Sequence, residues 1–168
     1  YASMIQLNIT SLTDLCHLFI PAMVDRGNGG VINIGSTASF LPVPYATVYS
    51  STKAYVLMFS EALRYEYARS NIRVMVSCPG ATDSNFRNTA SEKSPEKLKA
   101  RISRLKDSGE VGDSCERVAQ ETLDAFLKDK HYIVPGKGNS KFAFLPRILS
   151  RARALKIAGD AFRKHTAN

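Results

Sequence analysis

The sequence has no tryptophan, and its 168 residues include only three cysteines, Cys16, Cys78 and Cys115. These are too few and too scattered for a disulfide framework or a metal-ligand set, which argues against a bridge-stapled secreted scaffold and a zinc-built domain and favours a reducing compartment. Long apolar runs are also lacking. Nothing approaches the roughly 20 consecutive apolar residues of a bilayer span, and residues 1–4 lack the charged start of a signal peptide, so the chain reads as cytoplasmic. The three histidines, His17, His131 and His165, show no triad or ligand spacing, which leaves Ser39, Ser50 and Ser51 without the base a serine hydrolase needs. An initiator methionine is missing as well, and the chain looks cut from something longer.

Acidic residues are scarce in one place only. Residues 137–168 hold eight Lys or Arg against Asp160 alone, whereas residues 1–136 hold 15 basic and 14 acidic residues, so the net charge of +8 sits mainly in the tail. With 44% hydrophobic residues, the rest is long enough for one packed core and too short for two.

Met4, Ile5, Leu7, Leu12, Leu15, Leu18, Phe19, Ile20 and Met23 recur at helical spacing and predict a helix over 3–25, closed by a plain turn at residues 27–30. The β-branched run 31–35 predicts a buried parallel strand. A second long helix is expected over 48–69, then a strand at 72–77 that Pro79 and Gly80 stop. Residues 83–112 are polar and read as a substrate lid, with one or two short helices in 91–109. The spacing of Asp113 and Glu116 fits a capping box that opens a helix to about 128, and a third strand follows at 131–134. This alternation predicts an α/β fold with a parallel sheet.

Tyr49 and Lys53, spaced i and i+4, fall on one helix face at the carboxyl edge of that sheet. A tyrosine titrates near pH ~10, and an adjacent ammonium favours its phenolate, bringing it within reach of acid/base work. Ser36, thirteen residues earlier and just past a strand, emerges at the same edge and can hydrogen-bond an oxygen on which charge develops. Asn8 is a polar residue inside an apolar stripe. Tyr45 either faces substrate or packs in the loop, and Cys78 reads as a buried structural thiol.

Taken together, these residues resemble the short-chain dehydrogenases/reductases, in their single-domain branch. The family's Asn-Ser-Tyr-Lys tetrad falls on Asn8, Ser36, Tyr49 and Lys53, and its Pro-Gly turn on Pro79 and Gly80. The resemblance covers about residues 1–135. It implies Tyr49 as acid/base, Ser36 polarising the carbonyl, Lys53 lowering the tyrosine pKa and holding the nicotinamide ribose, and Asn8 positioning a proton-relay water. It further implies a cofactor turn with Pro79, Gly80, Thr82 and Ser84, the last standing where the family has threonine.

The implied activity is hydride transfer between NAD(P), NADP slightly ahead, and a secondary alcohol or ketone. The implied assembly is a homodimer or homotetramer through the two long helices. The family's glycine-rich phosphate loop is missing, and residues 27–30 cannot replace it because they precede a strand. The expected fold is therefore a partial Rossmann-type doubly wound sheet lacking its first strands, with an open apolar edge at 31–35. Because the residue that selects between NAD and NADP is among those missing, the sequence does not decide between them.

Beyond 135, Leu145, Ile148, Leu149, Ala152 and Leu155 recur at helical spacing around a Pro146 suited to a first helical turn, amid Arg147, Arg151, Arg153, Lys156, Arg163 and Lys164. Residues 136–168 thus form a basic amphipathic tail, which either lies on an anionic membrane surface over 140–168 or covers the domain or a partner. With no interleaved aromatics or reading motif, no nucleic acid is expected. If the sheet remnant is not catalytic, the rival function is a binding module that works through this tail.

Overall fold

The computed structural model describes residues 1–86, 89 and 112–164. The predicted helices at 91–109, most of the 83–112 lid, and His165 lie outside the described residues. A continuous helix, α1 (Ala2–Asp25), opens the chain. Cys16 and Ile20 bury its inner face, while Leu7, Leu15, Leu18 and Phe19 stay exposed. Its mean hydropathy of 1.3 and its length suffice to cross a membrane, contrary to the expectation from unbroken apolar runs, which Asn8, Asp14 and His17 interrupt.

The chain then alternates. Strand β1 (Gly29–Ile34) leads to a short 3-10 turn (Thr37–Ser39) and the long helix α2 (Thr47–Tyr67). Strand β2 (Ile72–Ser77) follows, then β3 (Thr82–Asp83) and β4 (Asp113–Ser114), helix α3 (Cys115–Leu127) and strand β5 (Tyr132–Ile133). The main sheet has the order β1-β2-β5, all parallel, and β3 pairs with β4 in a second, two-stranded ladder. β2 is covered on both faces, which is why it reads as an unbroken apolar run: Ile72, Val74, Met75 and Val76 are all buried. Val56 and Leu57 of α2 close the core over Val76 and Cys78. Each such fully buried Val or Ile contributes about 1.5–3 kcal/mol. The fold is the α/β parallel sheet expected, part of a Rossmann-type arrangement. β1 has no strand on its outer edge among the described residues.

Three expectations need correction. β1 begins at Gly29, so Gly29 and Gly30 belong to the strand and only Gly27 and Asn28 make the turn. The helix α3 is capped by Ser114, whose hydroxyl accepts from the Arg117 amide at 3.2 Å, while the Asp113 carboxylate accepts from the side chains of Arg117 and Asn139 instead. The tail forms two helices, α4 (Ser140–Ile148) and α5 (Arg151–Lys164), and Pro146 lies near the end of α4 instead of opening a helix. The chain extends at Leu149 (ψ 148°) before Ser150 accepts from the Arg153 amide and starts α5.

Candidate active site

Where β1 ends, the Gly35 amide donates to the Ser77 carbonyl at 2.7 Å, the last rung of the ladder. Ser36 then leaves the sheet and caps the 3-10 turn, its Oγ accepting from the Ala38 amide at 3.1 Å while its own amide donates to Ser39 Oγ at 3.1 Å. Ser39 in turn donates to the Lys53 carbonyl at 2.8 Å, locking this turn to the start of α2. Ser39, set aside as a nucleophile from the sequence, therefore ties the strand end to the helix. The result brings the Ser36 hydroxyl near enough to the Tyr49 phenol to pull its pKa down. One helical turn along, the Lys53 ammonium lies 5.9 Å from the centre of the Tyr49 ring and donates to the Ile34 carbonyl at 2.9 Å.

The electrostatics differ from the expectation in one respect. Burial pushes the Tyr49 phenol above its usual value, the Ser36 hydroxyl pulls it down by less, and the neighbouring Cys78 adds to the rise. A lowered tyrosine was expected from Lys53. Here the ammonium sits over the ring and spends a donor on a backbone carbonyl, so it does not offset desolvation. Burial also lowers Lys53, with Cys78 opposing. Cys78 itself is pushed up to about 11, mainly by burial, and stays a thiol.

Asn8 falls in a π-helical stretch of α1 (Gln6–Thr10), a distortion that turns a side chain out of the regular helical register and is frequent at functional sites. Its amide donates to Thr52 Oγ1 at 3.0 Å, and Thr52 donates to the Tyr49 carbonyl at 2.8 Å. Asn8 thus reaches the helix that carries Tyr49 and Lys53 without touching either side chain in these bonds. Asn8 and Lys53 both line a groove of about 430 Å³ between α1 and β1, walled by Leu12, Leu15, Phe19 and Ile34.

Of the remaining expected residues, Pro79 is tied in through its carbonyl, which accepts from the Thr37 amide at 2.9 Å. Thr82 donates to the Gly80 carbonyl at 3.3 Å, and the exposed Ser84 accepts from the Phe86 amide at 3.4 Å, so both hydroxyls serve their own loop. Phe86 went unnoticed in the sequence. Its ring meets that of Tyr49 at 5.9 Å between centres, and an aromatic just past the Pro-Gly turn was the only available signal.

Comparison with known proteins gives the family and the fold. A family model described as short chain dehydrogenase matches residues 1–95. The very-long-chain 3-oxoacyl-CoA reductase of Homo sapiens is 41% identical over 76 residues, which are 45% of this chain and 24% of that protein. The hydroxysteroid dehydrogenase-like protein 1 of Gallus gallus is 40% identical over 76 residues, 45% of this chain and 23% of that one. Among solved structures, a short-chain dehydrogenase from Sphingobium yanoikuyae in complex with NADPH superposes with a TM-score of 0.66 at 27% identity, covering 84% of this chain and 51% of that one. The match therefore spans about a quarter of these curated relatives and about half of the solved structure.

Proposed function

The chain belongs to the short-chain dehydrogenases, and from that premise we propose that it carries the catalytic half of an NAD(P)-dependent oxidoreductase that interconverts a ketone and a secondary alcohol. The observation that carries this reading is that Ser36, at the carboxyl end of β1, is locked through Ser39 to the helix that carries Tyr49, with Lys53 one helical turn along and bonded to the Ile34 carbonyl. A bound nicotinamide would supply the hydride. In the reduction direction, Tyr49 Oη gives its proton to the carbonyl oxygen while Ser36 Oγ donates a hydrogen bond to the same atom. Asn8, on the groove it shares with Lys53, holds the water through which Tyr49 is reprotonated.

The residues present fit the nicotinamide end of the cofactor: Lys53 offers donors toward a ribose, and the turn with Pro79 and Gly80 is bare of bulky side chains and fixed to the 3-10 turn beside Ser36. Nothing in the sequence fits its phosphate end, since Gly29 and Gly30 lie in a strand. NADP is preferred, in line with the NADPH complex of the Sphingobium relative. The names of the reductase and hydroxysteroid relatives favour a ketone on a lipophilic body.

The raised Tyr49 pKa sets the pH dependence. A phenol above its usual value is protonated, and able to donate, throughout the neutral range. Reduction should therefore run flat through neutral pH and fall only on an alkaline limb, as the proton is lost. Because the Ser36 hydroxyl lowers that pKa, Ser36→Ala should move the limb to still higher pH and cut the rate by roughly 10²-fold. A pH–rate profile of the full-length protein checks this, and a limb that stays in place in Ser36→Ala counts against the assignment.

We propose further that the protein works in the cytoplasm against an anionic membrane surface. Exposed Phe144, Ile148, Leu155 and Ile157 on α4 and α5 lie among exposed Lys141, Arg147, Arg151, Arg153 and Lys156, the combination an interfacial helix needs. The inner face of α5, with Ala154 and Ala158 buried, rests on the body, and a side chain at Gly159 would touch Pro44. The full-length protein should co-sediment with phosphatidylserine vesicles and lose most of that binding on deletion of 140–168. Binding unchanged by the deletion would remove this reading. Exposed Leu7, Leu15, Leu18, Met58 and Tyr65 on α1 and α2 support assembly as a homodimer or homotetramer.

A further inference from the structure

A ring of polar contacts far from Tyr49 in sequence borders the turn after β2 and meets it at Ala81 and Gly80. Asp113 lies in β4, where its amide donates to the Ala81 carbonyl at 2.9 Å and its backbone pairs with Thr82. Its carboxylate accepts from Arg117 at 3.2 Å and from the Asn139 amide at 3.1 Å. Arg117 Nε donates to Glu121 at 2.8 Å, and the other Glu121 oxygen accepts from the Gly136 amide at 2.9 Å. Asn139 Nδ2 also donates to the Pro135 carbonyl at 2.8 Å. The circuit closes through α3, the end of β5 and the start of α4.

The turn is held from outside by contact as well as by bonds. A side-chain carbon added at Gly80 would come within 2.6–2.7 Å of the Asn139 amide group, so glycine there lets that amide lie directly on the backbone of the turn. Gly136, at φ +93°, makes the matching bend on the other side. The ion pairs of the ring are partly exposed, with Arg117 at 39% and Glu121 at 35% side-chain exposure, and pairs this wet contribute little to stability. Asp113 and Asn139 are the two members of this ring that meet the turn, at Ala81 and Gly80, and their contacts set its geometry more than they add stability.

We propose that Asn139 and Asp113 are positioning residues for the cofactor turn: they hold residues 79–82 in the conformation that meets the nicotinamide, and they couple that turn to the foot of α4. The inference rests on the oxidoreductase reading. Neither residue touches the reacting atoms, and both act through Gly80 and Ala81.

The test uses the full-length protein and three measurements: NADPH affinity by fluorescence, amide hydrogen exchange of residues 80–83 without cofactor, and the thermal midpoint. Asn139→Ala should weaken NADPH binding roughly tenfold, the scale of one lost hydrogen bond, and speed exchange at 80–83, with little change in midpoint. Asp113→Asn, which keeps the volume but not the charge, should shift both in the same direction by less. Gly80→Ala should weaken binding through its collision with Asn139, and the Gly80→Ala/Asn139→Ala double variant should be no worse than Asn139→Ala alone. Wild-type affinity and exchange in Asn139→Ala, a fallen midpoint with unchanged affinity, or fully additive losses in the double variant would each overturn the proposal. A wild-type protein that neither binds NADPH nor reduces any ketone sinks the oxidoreductase reading and this proposal with it, whereas a working wild type with an insensitive Asn139→Ala sinks the proposal alone.

Discussion

Tyr49→Phe in the full-length protein is expected to lose ketone reduction by roughly 10³-fold or more while NADPH still binds, because the substitution removes one oxygen and little else. The ring keeps its contact with Phe86, and Ser36 keeps its bond from the Ala38 amide, so the turn that presents Ser36 survives. Lys53 retains its bond to the Ile34 carbonyl. The loss therefore falls on turnover and not on folding or cofactor affinity, which steady-state kinetics and a fluorescence titration separate. Turnover within a few-fold of wild type would mean that the proton comes from elsewhere.

The second large effect concerns residues 1–168 on their own. β1 is an edge strand whose outer rim has no partner among the described residues, and the groove beside it is walled by Leu12, Leu15, Phe19, Val31 and Ile34. Ile34 is 52% exposed and Phe19 54%. A flat apolar edge with free amides and carbonyls templates pairing with another chain. In sedimentation velocity the isolated segment should associate with rising concentration and bind a hydrophobic dye, behaviour that a longer chain supplying a strand beside β1 suppresses. Monodisperse behaviour with one cooperative thermal transition would contradict this.

Much of the site was legible because its chemistry is local. Tyr49 and Lys53 are one helical turn apart, Ser36 directly follows a β-branched run, and Pro79 stops a strand that is apolar on both faces. The strand β2 was placed to the residue for the same reason. What could not be read depends on neighbours remote in sequence. Gly30 looks like turn chemistry, yet it sits in β1 paired with Arg73, and the Phe126 ring of α3 lies where a side chain would stand. The rise in the Tyr49 pKa follows from burial under Phe86 and beside Cys78, which i,i+4 spacing cannot reveal. Asp113 and Asn139 lie 26 residues apart and meet only because β4 and the end of β5 converge on the turn after β2. The break between α4 and α5 had a signal, Ser150 ahead of Arg151, that the helical periodicity of the tail concealed.

The central claim is that the phenol of Tyr49 and the hydroxyl of Ser36 act on one oxygen. A double-mutant cycle in the full-length protein tests this most directly, with single-turnover ketone reduction measured for Tyr49→Phe, Ser36→Ala and the pair. Groups that work as a unit lose their effect together, so the pair should be no slower than Tyr49→Phe alone. Losses that multiply would show two independent groups and contradict the account.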